Sequence, residues 1–382
     1  MPKSQPLLFL AGLFCLLLIG NTFGQDPAST PGQPAFSDSV IYQPRRFPVP
    51  VKKSKSKKKV AAQAAPSPTR EEAGAIDQGP VTIPVSVFDS SQKFVSGLQQ
   101  SNFRVFVDGK KVEIFSIETR KEPLNFILLV DTSLSTGFVR NAMWQIVISM
   151  VEQLEAGDKV SIIKFAGDPT VVADLTDDRE KVHEAIKKIK FNEDGTSVYD
   201  AVRFVFEKQI PAVRGRTVLL VLTDGVDTSS RKATFASSLE WAEKGDTTIF
   251  PVYFDTQAQY SKNSGGIALR WMNRAGISGA VASEMLDTTR QRLTLAGEYE
   301  LGKMYLSDLL FLSGGHAIPA QSFQEAPKET ASAIISAIRQ QYVITLSPGQ
   351  TGTLGQRKQL MVRVDRPNLA VLARGSYIVK PQ

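Results

Sequence analysis

Residues 124–135 read Leu-Asn-Phe-Ile-Leu-Leu-Val-Asp-Thr-Ser-Leu-Ser. The run from Asn125 to Val130 shows no polar alternation, which is the signature of a strand buried on both faces. It ends on Asp131, and two hydroxyl residues, Ser133 and Ser135, follow at alternate positions. Helical spacing of apolar residues then covers Phe138 to Leu154, Asp178 to Ile189, Ser197 to Gln209 and Thr234 to Lys244. Between these helices, strands are expected at Lys159–Phe165, Thr170–Leu175, Thr217–Leu222 and Thr247–Phe254. Two more helices are expected at Leu301–Leu312, stopped by Gly314-Gly315, and at Gln324–Gln340. Strands alternating with helices predict an α/β fold: a doubly wound, mostly parallel sheet with helices on both faces, spanning about residues 122–340.

Small β segments flank this unit. Val81, Ile83, Val85 and Val87 alternate with small or polar residues, as do Phe103, Val105 and Val107 before the turn Asp108-Gly109. A return strand over Val112–Ile117 completes a β module at 79–120. After Tyr342 the chain is β again: Tyr342–Leu346, Leu360–Val364, Leu369–Ala373 and Ser376–Val379 make a C-terminal β segment, 341–382. Neither flank holds enough strands to stand alone, so the two are expected to pack together with the α/β unit inserted between them.

Composition narrows the function. The 382 residues include 45 Lys and Arg, 38 Asp and Glu, one Cys and two His. One Cys excludes a disulfide scaffold and a Cys-rich zinc site, and His183 and His316 are too few and too far apart for a His-based metal centre or a Ser-His-Asp triad. The net charge of +7 sits mostly in the first 78 residues, leaving only +2 on the folded part, so no nucleic-acid face is expected. Lys3 followed by the 14-residue apolar run Leu7–Gly20, with Thr22 and Gly24 placed for cleavage, reads as a signal peptide over 1–24. An uncleaved anchor is the alternative, and the expected location is secreted, periplasmic or cell-envelope. Residues 25–78 hold eight Pro and the basic run Lys52–Lys59, the composition of a disordered linker. That run is either a solvated spacer or a site of attraction for anionic envelope polymers or membrane head groups.

Ligands of an open parallel sheet sit beyond the carboxyl ends of its strands. Asp131, Ser133 and Ser135 follow the first apolar strand, Thr196 follows Asp194-Gly195, and Asp224 follows the strand ending at Leu222 within Leu-Thr-Asp-Gly. All five are hard oxygen donors, without imidazole or thiolate. Such a set suits Mg²⁺, or Mn²⁺ or Ca²⁺, in a six-coordinate site that retains water.

Asp131-x-Ser133-x-Ser135, then Thr196, then Asp224, resembles the metal-ion-dependent adhesion site of von Willebrand factor type A domains, and the flanks look like the bacterial VWFA-related group. The resemblance implies a Rossmann-like fold. It also implies serines and threonine that bind the cation directly or through water, aspartates at or next to it, and a partner carboxylate completing the octahedron. The function so implied is a non-enzymatic envelope module that captures a protein offering an Asp or Glu. A metal-stabilised envelope scaffold is the alternative. A Mg-dependent phosphotransfer enzyme with Asp131 as nucleophile is the third reading. It lacks an Asp-x-Asp pattern, a phosphate loop and a base for the serines. Asp227 is expected to cap the following helix, and Trp144 and Trp241 to pack in helices. An insert at 256–301, with a helical stretch around Ser283–Leu295, leaves the same rim as the site. It reads as a specificity lid or as a helical decoration.

Overall fold

The computed structural model describes residues 37–38, 81–91, 93–119, 122–191, 195–245, 247–257, 288–315, 326–347 and 354–379. The expected signal peptide, the run Lys52–Lys59, Asp194, His316 and most of the insert lie outside the described residues.

The chain order begins with β1 (Ser37–Asp38), β2 (Thr82–Phe88), β3 (Phe103–Val107), β4 (Lys110–Val112) and β5 (Ile114–Thr119). It continues through β6 (Leu124–Asp131), α1 (Arg140–Glu152), β7 (Lys159–Phe165), β8 (Thr170–Thr176), α2 (Arg179–Lys187) and α3 (Val198–Phe204). Then come β9 (Arg216–Thr223), α4 (Phe235–Lys244), β10 (Thr248–Tyr253), α5 (Thr288–Ser313) and α6 (Pro327–Arg339). The chain closes with β11 (Tyr342–Leu346), β12 (Arg357–Val364), β13 (Ala370–Ala373) and β14 (Ser376–Ile378).

A five-stranded sheet runs in the order β10-β9-β6-β7-β8. Its first four strands are parallel and β8 is antiparallel to β7. Only residues 166–169 separate β7 from β8, too few for a crossover, so the chain must turn back on itself. Every residue of β6 is buried, and its alternate side chains serve two cores. Phe126, Leu128 and Val130 pack with Ile146 and Val147 of α1 and Ile334 and Ile338 of α6. Ile127 and Leu129 face the other way, onto Val202 of α3, Leu239 of α4 and Leu309 of α5. At about 1.5–3 kcal/mol for each large apolar side chain buried, these two layers are the main source of stability. The sequence marks the helix ends as well. Asp178 accepts the Lys181 N–H to cap α2, Thr234 and Ser237 cap α4 reciprocally, and Pro327 opens α6.

The helices expected around Ser283–Leu295 and from Leu301 are one. The structure joins them from Thr288 into the 26-residue α5, so the segment between β10 and helix is shorter than expected. Gly314, at φ +71°, ends α5 by donating to the Leu310 carbonyl at 3.1 Å.

The flanking segments build two further sheets, β13-β2-β11-β5 and β1-β12-β3-β4 with β14 on β12. Strand β11 pairs with both β2 and β5, and β12 pairs with β3, so strands from either side of the α/β unit lie in common sheets. Their inward side chains, among them Val85, Val105, Ile344 and Val362, make one core. The expected single return strand over Val112–Ile117 is two: β4 pairs with β3, while β5 crosses to the sheet of β11. Ile114 is buried and Val112 half-buried on either side of exposed Glu113, so both apolar residues reach the sandwich core only if the chain changes sheet there.

Where this sandwich meets the α/β unit, Arg374 donates to the Glu243 and Gly245 carbonyls at 2.9 and 3.3 Å, closing the C-terminus of α4. The buried Glu243 carboxylate accepts Ser376 Oγ at 2.5 Å and pairs with Arg357. A cleft of about 520 Å³ opens at this junction beside Phe206, Arg216 and Trp241, and none of the five expected site residues lines it. Among the described residues no helix is long and apolar enough to cross a membrane.

Candidate metal centre

The site follows from strand register. β6 and β9 are adjacent and parallel with Val130 opposite Leu222, so Asp131, Thr223 and Asp224 arrive together at the carboxyl rim of the sheet. Asp131 and Asp224 are both 0 % exposed. Thr223 Oγ1 reaches across the strands and donates to Asp131 Oδ2 at 2.6 Å, while the Ser133 N–H donates to Oδ1 at 3.0 Å. Asp224 is held in the same manner: Thr256 Oγ1 donates to Oδ2 at 2.7 Å and the Val226 N–H to Oδ1 at 3.2 Å. Ser133 Oγ lies 3.2 Å from Ser135 Oγ, and the hydroxyls of Ser133 and Ser135 favour the ionised forms of Asp131 and Asp224 respectively. Thr136 Oγ1 pins the turn by donating to the carbonyls of Asp131 and Ser133, each at 3.0 Å. Four expected residues, Asp131, Ser133, Ser135 and Asp224, therefore form one hydrogen-bonded group.

Thr196 enters from the loop before α3. Its N–H donates to Thr228 Oγ1 at 3.0 Å, and its carbonyl accepts the Thr228 and Ser229 N–H groups at 2.8 and 2.9 Å. It is thus clamped to the loop that continues from Asp224, and it is 4 % exposed. Asp227 does not cap the helix that comes after it. Its carboxylate accepts the Tyr199 N–H at 3.1 Å, near the start of α3, and Ser230 Oγ at 2.6 Å, whereas Thr234 caps α4. The physical reason is that α3 lacks a side-chain cap of its own, and the loop after β9 passes its N-terminus. Asp200, inside α3, binds back to the same loop by accepting the N–H groups of Arg231, Lys232 and Ala233 at 2.8, 2.9 and 2.6 Å.

Electrostatics sets this rim apart. Burial pushes the Asp131 carboxyl up to about 7, with the Asp224 charge as the next cause, against the hydrogen bonds from Ser133 and Thr223. Burial also raises Asp224, against the bonds from Ser135, Thr256 and Val226. A hydrogen bond to a charged group returns about 1.5–3 kcal/mol. Burying an ionised carboxylate costs several kcal/mol, and two side by side also repel. Hydroxyls and amides alone do not settle that balance, whereas a divalent cation reverses its sign.

Thr223, Thr256 and Tyr299 lie outside the pattern expected from sequence. Thr223 had a local signal, since strand alternation puts it on the face opposite Asp224, where the register of β6 and β9 sets it beside Asp131. Thr256 and Tyr299, 2.8 Å apart through their hydroxyls but 43 positions apart in the chain, had none. Gly225, at φ +81°, meets Gly302 of α5 so closely that a Cβ at 302 would lie 2.6 Å from the Gly225 carbonyl.

Chemically, the group offers two carboxylates and the hydroxyls of Ser133 and Ser135, an all-oxygen set suited to a hard cation. Among the described residues no three His, Cys, Asp or Glu side chains gather as a metal cluster, so any cation here depends on hydroxyl and water oxygens for the rest of its shell.

Several solved structures are similar to parts of the chain. The conserved hypothetical protein BatB of Bacteroides thetaiotaomicron is similar at 22% identity over 34% of this chain and 67% of its own, with a TM-score of 0.28. An aerotolerance-related membrane protein of Bacteroides fragilis is similar at 16% identity over 57% of this chain and 98% of its own, with a TM-score of 0.37. A von Willebrand factor type A protein of Catenulispora acidiphila is similar at 13% identity over 80% of this chain and 75% of its own, also with a TM-score of 0.37. No curated protein matches the chain. Residues 126–226, which run from β6 through Asp131, Thr196 and Asp224, match the family model of the von Willebrand factor type A domain, and the chain carries such a domain there.

Proposed function

We propose that the chain is an exported, envelope-associated binding module that holds a divalent cation, Mg²⁺ foremost, at Asp131, Ser133, Ser135, Thr196 and Asp224. Its open coordination position takes an Asp or Glu carboxylate of a protein partner. One observation carries this reading: two fully buried carboxylates share one rim and are surrounded by hydroxyl and amide donors. With two carboxylates a divalent cation is neutralised within the protein. An incoming third carboxylate would then bind through direct metal–oxygen contact at a desolvated centre, so affinity should be lost when the cation is removed. Exposed apolar side chains suit a protein partner: Phe138, three residues past Ser135, is 45 % exposed, and Leu301, next to Gly302, is 39 % exposed.

Isothermal calorimetry of Mg²⁺ and Mn²⁺ into the purified chain, beside Asp131→Ala, tests the centre. Saturable binding to one site, absent in the variant, is the expected result. Equal heats for both proteins, with acetate or an acidic peptide present as well as without, would overturn it. The scaffold reading makes a different prediction. Thr196→Ala then leaves acidic-peptide binding in Mg²⁺ as it was, whereas a binding module loses the peptide while staying folded.

A further inference from the structure

Asp224 is held from a direction that the five-residue pattern does not contain. Thr256 Oγ1 lies 2.7 Å from Asp224 Oδ2 and 2.8 Å from the Tyr299 hydroxyl oxygen. A threonine hydroxyl has one proton, and an ionised carboxylate can only accept. With Asp224 ionised, as a cation ligand is, that proton goes to Asp224 and Tyr299 donates to Thr256. The chain Tyr299 to Thr256 to Asp224 has one direction, and all three residues are buried. Its ends are fixed independently. Just before Thr256, the Phe254 N–H donates to the Thr223 carbonyl at 3.0 Å, next to Asp224. Three residues after Tyr299, Gly302 of α5 abuts the Gly225 backbone. The segments that carry Thr256 and Tyr299 are thus both tied to the strand end that carries Asp224.

We propose that Thr256 and Tyr299 are positioning residues for the cation centre: their directed pair of hydrogen bonds fixes the rotation of the Asp224 carboxylate and thereby sets cation affinity. The inference rests on the reading of this rim as a cation site. Outer hydrogen-bonding partners of metal ligands typically change affinity by roughly 10–100-fold when removed.

The test is Mn²⁺ calorimetry on the full chain, with melting temperature measured in EDTA and in Mn²⁺. Thr256→Val is expected to weaken Mn²⁺ by roughly 10-fold or more, Tyr299→Phe by less, and Thr256→Ser to restore most of the affinity. Tyr305→Phe, on the same helix but packed against Tyr199 and Phe235, is the control for general loosening of α5, and its affinity should equal wild type. A folded Thr256→Val and a folded Tyr299→Phe that both bind Mn²⁺ like wild type would overturn the positioning role alone. That role is equally overturned if Thr256→Ser is as weak as Thr256→Val, or if Tyr305→Phe is as weak as Tyr299→Phe. Failure of wild type itself to bind Mn²⁺ would overturn the cation reading, and the positioning role with it.

Discussion

The two ends of the central sheet treat buried carboxylates in opposite ways. At the amino end, Asp158 is 1 % exposed, accepts the Leu124 and Glu155 N–H groups at 2.8 Å each, and pairs with Arg339 of α6. Near the same end, the buried Glu243 has Arg357. At the carboxyl end, Asp131 and Asp224 are at least as buried, yet the groups that hold them are hydroxyls and amides, and the leading charge on Asp131 is that of Asp224. One protein thus shows both solutions to a buried charge. Where the charge serves the fold, the cation is built into the chain. At the rim the chain supplies only oxygens, the arrangement expected where the cation is to come from solution.

The largest effect expected from this contrast is at the paired end. Arg339→Ala leaves Asp158 buried without its guanidinium and should cost about 3–5 kcal/mol in urea unfolding, with or without Mg²⁺. Replacing both partners, as Asp158→Asn with Arg339→Met, should recover much of that loss, because the penalty comes from the orphaned charge. If Arg339→Ala is silent, the amino end is no more paired than the rim and the contrast collapses.

A smaller effect is expected at the rim and only with metal. A ligand that binds the folded state alone stabilises by about 2.7 kcal/mol at a free concentration about 100 times its dissociation constant. Mg²⁺ should therefore raise the unfolding free energy of wild type by about that amount and leave Asp131→Ala unmoved, while Arg339→Ala keeps the full increment. An increment of equal size in Asp131→Ala would place the cation elsewhere.

The contrast also marks what could be read from sequence. The unbroken apolar run Asn125–Val130 announced a strand buried on both faces, and the register of neighbouring parallel strands then made Asp131 and Asp224 share a rim. These are local patterns joined by one topological rule, so they were legible. The antiparallel turn of β8 was implicit in a four-residue connection that the periodicity ignores. Asp227 defeats sequence reading because a cap is recognised by the helix immediately downstream of it, whereas the helix start it satisfies, at Tyr199, lies 28 positions earlier. Thr256 and Tyr299 look like any threonine after a strand and any tyrosine in a helix. The pairing of β10 with β9 carries Thr256 to the site, while the close approach of Gly302 to Gly225 brings Tyr299 to it, and that helix packing has no one-dimensional signature.

The smallest effect expected is in the pH dependence of the rim. Asp131 holds its proton up to about 7 in the folded state, against 3.8 as the ordinary value. A carboxyl raised by folding contributes stability that is fully present below its unfolded value and is lost as pH rises through the folded one. Without metal, wild type should therefore lose stability relative to Asp131→Asn from about pH 4 upwards, with about 1 kcal/mol of that loss falling between about pH 6 and about pH 8 and little above it. The cation works the other way. It competes with the proton, so Mg²⁺ should bind more tightly as the pH rises through the same interval. Urea unfolding of both proteins in EDTA and in Mg²⁺ across that interval gives the two slopes. If the EDTA slopes of wild type and Asp131→Asn coincide, Asp131 is already balanced within the protein. The rim would then need no imported charge, and it would join the amino end as a second internally neutralised site.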